Sequence, residues 1–124
     1  MEQVVSINDF SLSLKTPGQA TIDVGRFREH FGLSQQALAH LARVHRATVA
    51  DAPSNEKLQC LMRNFLRVVS AAAGIAGDEE RAIYWMRNTP IPEFDHRTAM
   101  DLVAEGKIEA VVKYLLSIES GSSG

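Results

Sequence analysis

The sequence predicts an all-α fold. Three observations carry that expectation: apolar residues recur at three- and four-residue steps from Val24 onward, helix-capping residues precede these runs, and the alternation of a strand is nearly absent. A chain of 124 residues, 45% hydrophobic and 23% charged, is long enough to bury a real core, and two helical halves can share it.

Residues 1–22 lack helical periodicity and read as an N-terminal arm. Phe10, Leu12 and Leu14 alternate with Ser11, Ser13 and Lys15, which suits a short strand or a flexible arm, and Thr16-Pro17-Gly18 ends the pattern. Asp23 is placed to N-cap a helix through Phe31, with Gly32 as its stop. Ser34 caps a second helix in which Ala37, Leu38 and Leu41 share a face. After a break at Ala42 to Val44, a short third helix runs from His45 to Asp51. It must end before Pro53, because the residue preceding proline is disfavoured in the helical region.

Ser54 then opens the longest helix, with Leu58, Leu61, Met62, Phe65, Val69, Ala72 and Ala73 as its stripe and Gly74 as its close. Asp78 starts a helix carrying Ala82, Ile83, Trp85 and Met86, which Asn88-Thr89-Pro90-Ile91-Pro92 breaks. Thr98, with Asp101 three residues on, caps a short helix that stops at Gly106. The last helix sets Ile108, Val111, Val112, Leu115 and Ile118 on one side and pairs Glu109 with Lys113 on the other. Residues 120–124 form a flexible tail.

Charge is uneven although the net value is only -2. Residues 26–67 carry seven Lys or Arg against three acids, whereas residues 68–124 carry five against nine. A basic middle beside an acidic last third suggests two surfaces for two kinds of partner. Met1-Glu2-Gln3 is acidic where a secretory leader is cationic, and the longest weakly polar run, Val68–Gly77, is too short to span a bilayer. The expected location is therefore cytoplasmic. The one cysteine, Cys60, has no zinc-spaced partner and reads as a structural thiol.

Two helices crossing steeply over a short turn need a small residue at the closest approach and branched residues in the wedge. Ala39 and Val44 meet those needs, with Leu38, Leu41 and Val49 as buried contacts. The run Gly32-Leu33-Ser34-Gln35-Gln36-Ala37-Leu38-Ala39 through Val49 resembles the Xre helix-turn-helix family, of Cro and phage-repressor type. The resemblance implies that the third helix lies in the major groove of operator DNA. By the same resemblance Gln35 falls where that family contacts a phosphate, and His45, Arg46 and Ala47 fall at the exposed start of the recognition helix. Arg43 in the turn and Thr48 complete the implied DNA-binding set. Arg46 is the base reader, because a guanidinium can bond two acceptors of guanine. Arg43 occupies the turn position where the family favours glycine, and a left-handed L-residue there costs about 1 kcal/mol.

In the second half, Ala82-Ile83-Tyr84-Trp85-Met86-Arg87-Asn88, the proline-bearing loop, Thr98 through Gly106, and Val111 to Ile118 are similar to the toxin-binding domain of the Xre/MbcA/ParS antitoxins. That resemblance implies a homodimeric antitoxin whose partner is a RES-domain toxin that destroys NAD, and whose C-terminal segment covers the toxin's NAD pocket. A pocket for anionic NAD is basic, and an acidic last third complements it. Glu119 is the residue placed to reach that pocket, beside Ile118 and Tyr114, with Trp85, Ser120 and Gly121 completing the implied toxin-binding set. Trp85 and Tyr114 at helical spacing also read as core residues.

Enzymatic readings are weaker. Glu93-Phe94-Asp95-His96-Arg97 offers no nucleophile at a defined spacing, His40 and His45 straddle a turn, and Gly74-Ile75-Ala76-Gly77 lacks the Lys and Ser/Thr of a phosphate loop. No catalysis, metal or cofactor is expected. The expected organisation is a helix-turn-helix region over 23–74 and a toxin-binding region over 78–119. The alternative is a stand-alone transcriptional regulator whose C-terminal helices only dimerise.

Overall fold

Side-chain caps set most helix starts in the structure, a computed structural model that describes residues 21–121. Helix α1 spans Val24–Phe31, and its N-cap Asp23 accepts the Arg26 N–H through Oδ2 at 2.9 Å. Gly32 ends it at φ 65°, and the Leu33 N–H returns to the Arg28 carbonyl at 3.0 Å. Helix α2 spans Gln35–Ala42 behind its cap Ser34, whose hydroxyl accepts the Ala37 N–H at 3.0 Å. Helix α3 spans Arg46–Asp51, helix α4 Glu56–Ala76 and helix α5 Glu79–Asn88, the last capped by Asp78. A 3-10 turn at Pro92–Phe94 leads to α6 (Ala99–Ala104), capped by Thr98, and then to α7 (Ile108–Glu119).

The seven helices of the described residues bear out the all-α expectation, and an isolated antiparallel bridge joins Ile91 to Arg97. The strand considered at Phe10–Leu14 lies outside the described residues.

Several boundaries differ from the sequence reading. His45 stands outside α3 as its cap rather than as its first residue. Helix α4 starts at Glu56, not at Ser54, because Asn55 Oδ1 accepts the Leu58 N–H at 3.1 Å and serves as the cap. It also runs past Gly74 to Ala76. A glycine inside a helix costs only about 0.5–1 kcal/mol, which packing easily outweighs. Gly77, at φ 111°, is the residue whose backbone leaves the helix.

The chain divides into two compact units, one up to Arg63 and one from Asn64, with the boundary inside α4. In the first unit Phe27 and Phe31, one turn apart on α1, stack with ring centroids 4.2 Å apart, and both are fully buried. Helix α2 packs on α3, burying Leu38, Ala39 and Ala42, with Val49 buried on α3. The predicted face of Ala37, Leu38 and Leu41 is therefore rotated: Ala37 and Leu41 are only half-buried, because the close contact uses the small Ala39 and Ala42.

Gln59 is the one buried polar side chain among the described residues. Its Oε1 accepts the Ile22 N–H at 2.9 Å, while Nε2 donates to the Ile22 carbonyl at 3.0 Å and the Pro53 carbonyl at 2.8 Å. The amide thus satisfies backbone groups that would otherwise be buried without partners.

In the second unit α5 packs on α6 and α6 on α7. Met86, Ile91, Leu102 and Val111 are among its buried residues. Ile91 sits in the predicted loop yet is 1% exposed, and the bridge to Arg97 holds that loop closed. Arg97 also pairs with Glu105 at the end of α6. Asp95 and His96 both take left-handed backbones, at φ 58° and 62°. On α7, Ile108, Val111 and Leu115 are buried as expected, but Ile118 is 37% exposed and lies outside the core. Glu109 bonds Arg67 of α4 rather than Lys113: Nη1 to Oε2 is 2.9 Å and Nη2 to Oε1 is 3.3 Å.

Candidate functional site

The first candidate surface is built by the turn between α2 and α3. Arg43 adopts φ 59°, donates its N–H to the His40 carbonyl at 3.2 Å, and lets the Val44 N–H reach the Ala39 carbonyl at 3.0 Å. These paired bonds are the helix stop that glycine usually makes, here formed by an L-residue at a cost of about 1 kcal/mol. Val44, the predicted wedge, is half-buried.

The turn aims α3 so that its first residues face solvent. His45 Nδ1 accepts the Ala47 N–H at 3.0 Å, which fixes the ring at the helix start. Arg43, His45, Arg46 and Ala47 are exposed, while Gln35 and Thr48 are half-buried. Gln36 at the start of α2 and Asp51 at the end of α3 are exposed as well. Two guanidiniums, an imidazole and helix-start N–H groups are hydrogen-bond donors suited to an anionic partner.

The second candidate surface lies at the end of α7. Ile118, Glu119, Ser120 and Gly121 follow one another there and are all exposed. Tyr114, one turn earlier, is half-buried, with its ring edge-on to Phe94 at 5.9 Å and 75°. Burial, and then the nearby Glu93 charge, raise the Tyr114 phenol above its usual value. Trp85 is half-buried on a different helix, α5.

Glu119 does not hang free of the fold. A Cβ built on Gly74 of α4 would stand 3.1 Å from Glu119 Oε2, so the missing side chain at Gly74 is what leaves room for that carboxylate. Neither α4 nor α7 has a basic residue in its last turn. Helix C-termini carry partial negative charge, and with Glu119 between them this end of the unit is electronegative.

Sequence reasoning did not single out the exposed apolar side chains of the second unit: Tyr84 is 70% and Leu116 is 53% exposed, and Ile75 near the end of α4 is also open to solvent. Leu116 follows the buried Leu115, so only the rotation of the helix separates a core leucine from a surface one. That rotation could have been found by projecting Ile108, Val111 and Leu115 onto a helical wheel.

The Arg67–Glu109 pair joins α7 to α4. Arg67 donates to Glu109 and, by that bond and its charge, holds the carboxyl below its usual range; Glu109 in turn raises Arg67. Among the described residues no three His, Cys, Asp or Glu side chains gather as metal ligands would, and no helix is long and apolar enough to cross a membrane. Cys60 is exposed on α4.

Apolar and acidic side chains thus lie open at the end of the last helix. Residues 71–121 match the family described as the antitoxin Xre/MbcA/ParS C-terminal toxin-binding domain. The matched stretch runs from the last turns of α4 through α7, so the second unit is similar to a toxin-binding antitoxin domain. No curated protein and no solved structure matches the chain.

Proposed function

We propose that this chain is the antitoxin of a toxin–antitoxin pair: a non-enzymatic, cytoplasmic homodimer that binds a RES-domain toxin, covers its NAD-degrading active site, and represses its own operon by binding operator DNA. The similarity of residues 71–121 to a toxin-binding antitoxin domain carries the reading. The open end of α7 supports it physically. Ile118, Leu116 and Tyr114 offer apolar contact, and Glu119 offers a carboxylate to the cations that would bind NAD phosphates. Trp85, Ser120 and Gly121 complete the proposed toxin-facing set. Operator contact is assigned to the helix-turn-helix of α2 and α3, with Gln35 on phosphate, Arg46 on base edges, and Arg43, His45, Ala47 and Thr48 around them.

Co-expression with the RES-type protein of the neighbouring gene tests the proposal. NAD content and growth collapse with that protein alone and recover when this chain is present. If this chain leaves NAD unchanged, the antitoxin reading fails and a helix-turn-helix regulator that only dimerises through its second half replaces it.

A further inference from the structure

The end of α4 receives side chains from two other helices, and glycine makes room for both. Glu119 of α7 reaches Gly74, where a Cβ would stand 3.1 Å from its Oε2. Arg81 of α5 reaches Gly77, the residue after α4, where a Cβ would stand 3.3 Å from its Nη1. The two glycines are three residues apart, so a carboxylate and a guanidinium arrive at the same end of one helix. A guanidinium there meets the negative end of the helix dipole favourably, whereas a carboxylate gains nothing from it. Among the described residues neither Arg81 nor Glu119 is in an ion pair.

Exposed apolar side chains follow the same path. Ile75 lies between the two glycines, Ile118 precedes Glu119, and Tyr84 stands one turn beyond Arg81 on α5; all three are open to solvent. The close approaches at Gly74 and Gly77 therefore link the open end of α7, by way of the end of α4, to the exposed face of α5.

We infer that the toxin-binding surface is wider than the end of α7: it runs from Ile118 and Glu119, across Ile75 at the end of α4, to Arg81 and Tyr84 on α5. The inference rests on the toxin–antitoxin reading above. The family match begins at residue 71, inside α4, so the end of that helix belongs to the matched toxin-binding stretch along with α5 and α7. Apolar side chains left in water are what a partner gains by covering, and tyrosine and arginine are the residue types that most often anchor such contacts. The toxin face that fits this path is apolar along its middle, with a base opposite Glu119 and an acid opposite Arg81. A pocket that holds anionic NAD would supply the base.

Calorimetric titration of the full chain with the RES-type protein of the neighbouring gene tests the width of the surface. Tyr84→Ala, at the far end from α7, raises the Kd about tenfold, and Ile75→Lys does the same. Both side chains are exposed, so each variant keeps its thermal midpoint to within about 3 °C. Glu119→Lys marks the α7 end. If it weakens binding while Tyr84→Ala and Ile75→Lys leave the Kd within about twofold of wild type, the surface stops at α7 and the inference falls. Loss of self-association in sedimentation by these two variants, with an unchanged toxin Kd, assigns Tyr84 and Ile75 to a contact between copies of this chain and overturns it equally. Failure of the wild-type chain to bind removes the toxin reading itself and this surface with it, an outcome distinct from a wild type that binds and variants that bind as well.

Discussion

Among the described residues the first unit covers its large apolar side chains, whereas the second leaves several of them exposed. All four large exposed apolar side chains among the described residues, Ile75, Tyr84, Leu116 and Ile118, belong to the second unit. In the first unit the exposed positions near the α2–α3 turn include Arg43, His45 and Arg46. A surface of fixed donors suits a polyanion, which is held by charge and read by hydrogen bonds. Exposed apolar side chains suit a protein surface, where buried anchors carry the affinity. The two halves of one small chain thus offer different chemistry to solvent.

The most severe way to break the first unit is Gln59→Leu. It leaves the Ile22 N–H and two carbonyls without their side-chain partner, so denaturant unfolding should show a loss of about 3 kcal/mol. A loss below about 1 kcal/mol would mean that backbone rearrangement or water replaces the amide.

Arg46→Ala sharpens the contrast on the DNA side. Affinity for the specific operator should fall by about 1–3 kcal/mol while binding to an unrelated duplex hardly changes, because base contacts specify and phosphate contacts position. Equal losses on both duplexes in a binding titration would remove Arg46 from base reading. On the other surface, Leu116→Lys should raise the toxin inhibition constant by about tenfold with an unchanged thermal midpoint, since Leu116 packs against little in the free chain. An unchanged constant would place the toxin contact elsewhere.

Gly74→Ala separates stability from position. Helix propensity should make α4 more stable by about 0.5–1 kcal/mol, provided that the flexible Glu119 carboxylate gives way by a few tenths of an ångström. Toxin inhibition measured on the same variant then reads whether the seat of Glu119 matters. The smallest effect belongs to Glu109. Arg67 lowers its folded-state value, so the pair's contribution is full above the ordinary carboxylate range and is lost as pH falls through that lowered value. Stability curves of wild type and Glu109→Gln should therefore differ near neutral pH and converge in acid.

Much of this was legible in the residues. Asp23, Ser34, Asp78 and Thr98 were readable as caps because a short polar side chain before an apolar run satisfies the N–H groups its helix leaves open. Gly32 was readable as a helix stop because glycine takes a left-handed backbone without strain, whereas Arg43 was placed at its turn position only by the resemblance to the Xre family. His45 as a cap and Asn55 in place of Ser54 were not, because neighbouring residues compete for the same N–H groups and packing chooses between them.

What the sequence determined by itself is whatever depends on a few adjacent residues: the helices, most of their ends, the sign of charge along the chain, and the motifs on which the functional reading rests. Only the tertiary structure decided which partner each side chain meets. Glu109 had Lys113 four residues away on its own helix, yet it bonds Arg67, 42 positions distant, because the packing of α4 and α7 brings a forked guanidinium within 2.9 Å. Gln59 clasps Ile22 and Pro53 for the same reason. Leu115 is buried while Leu116 is exposed because the rotation of α7 is set by the elements it packs against, and a pair of leucines carries no mark of which one faces inward.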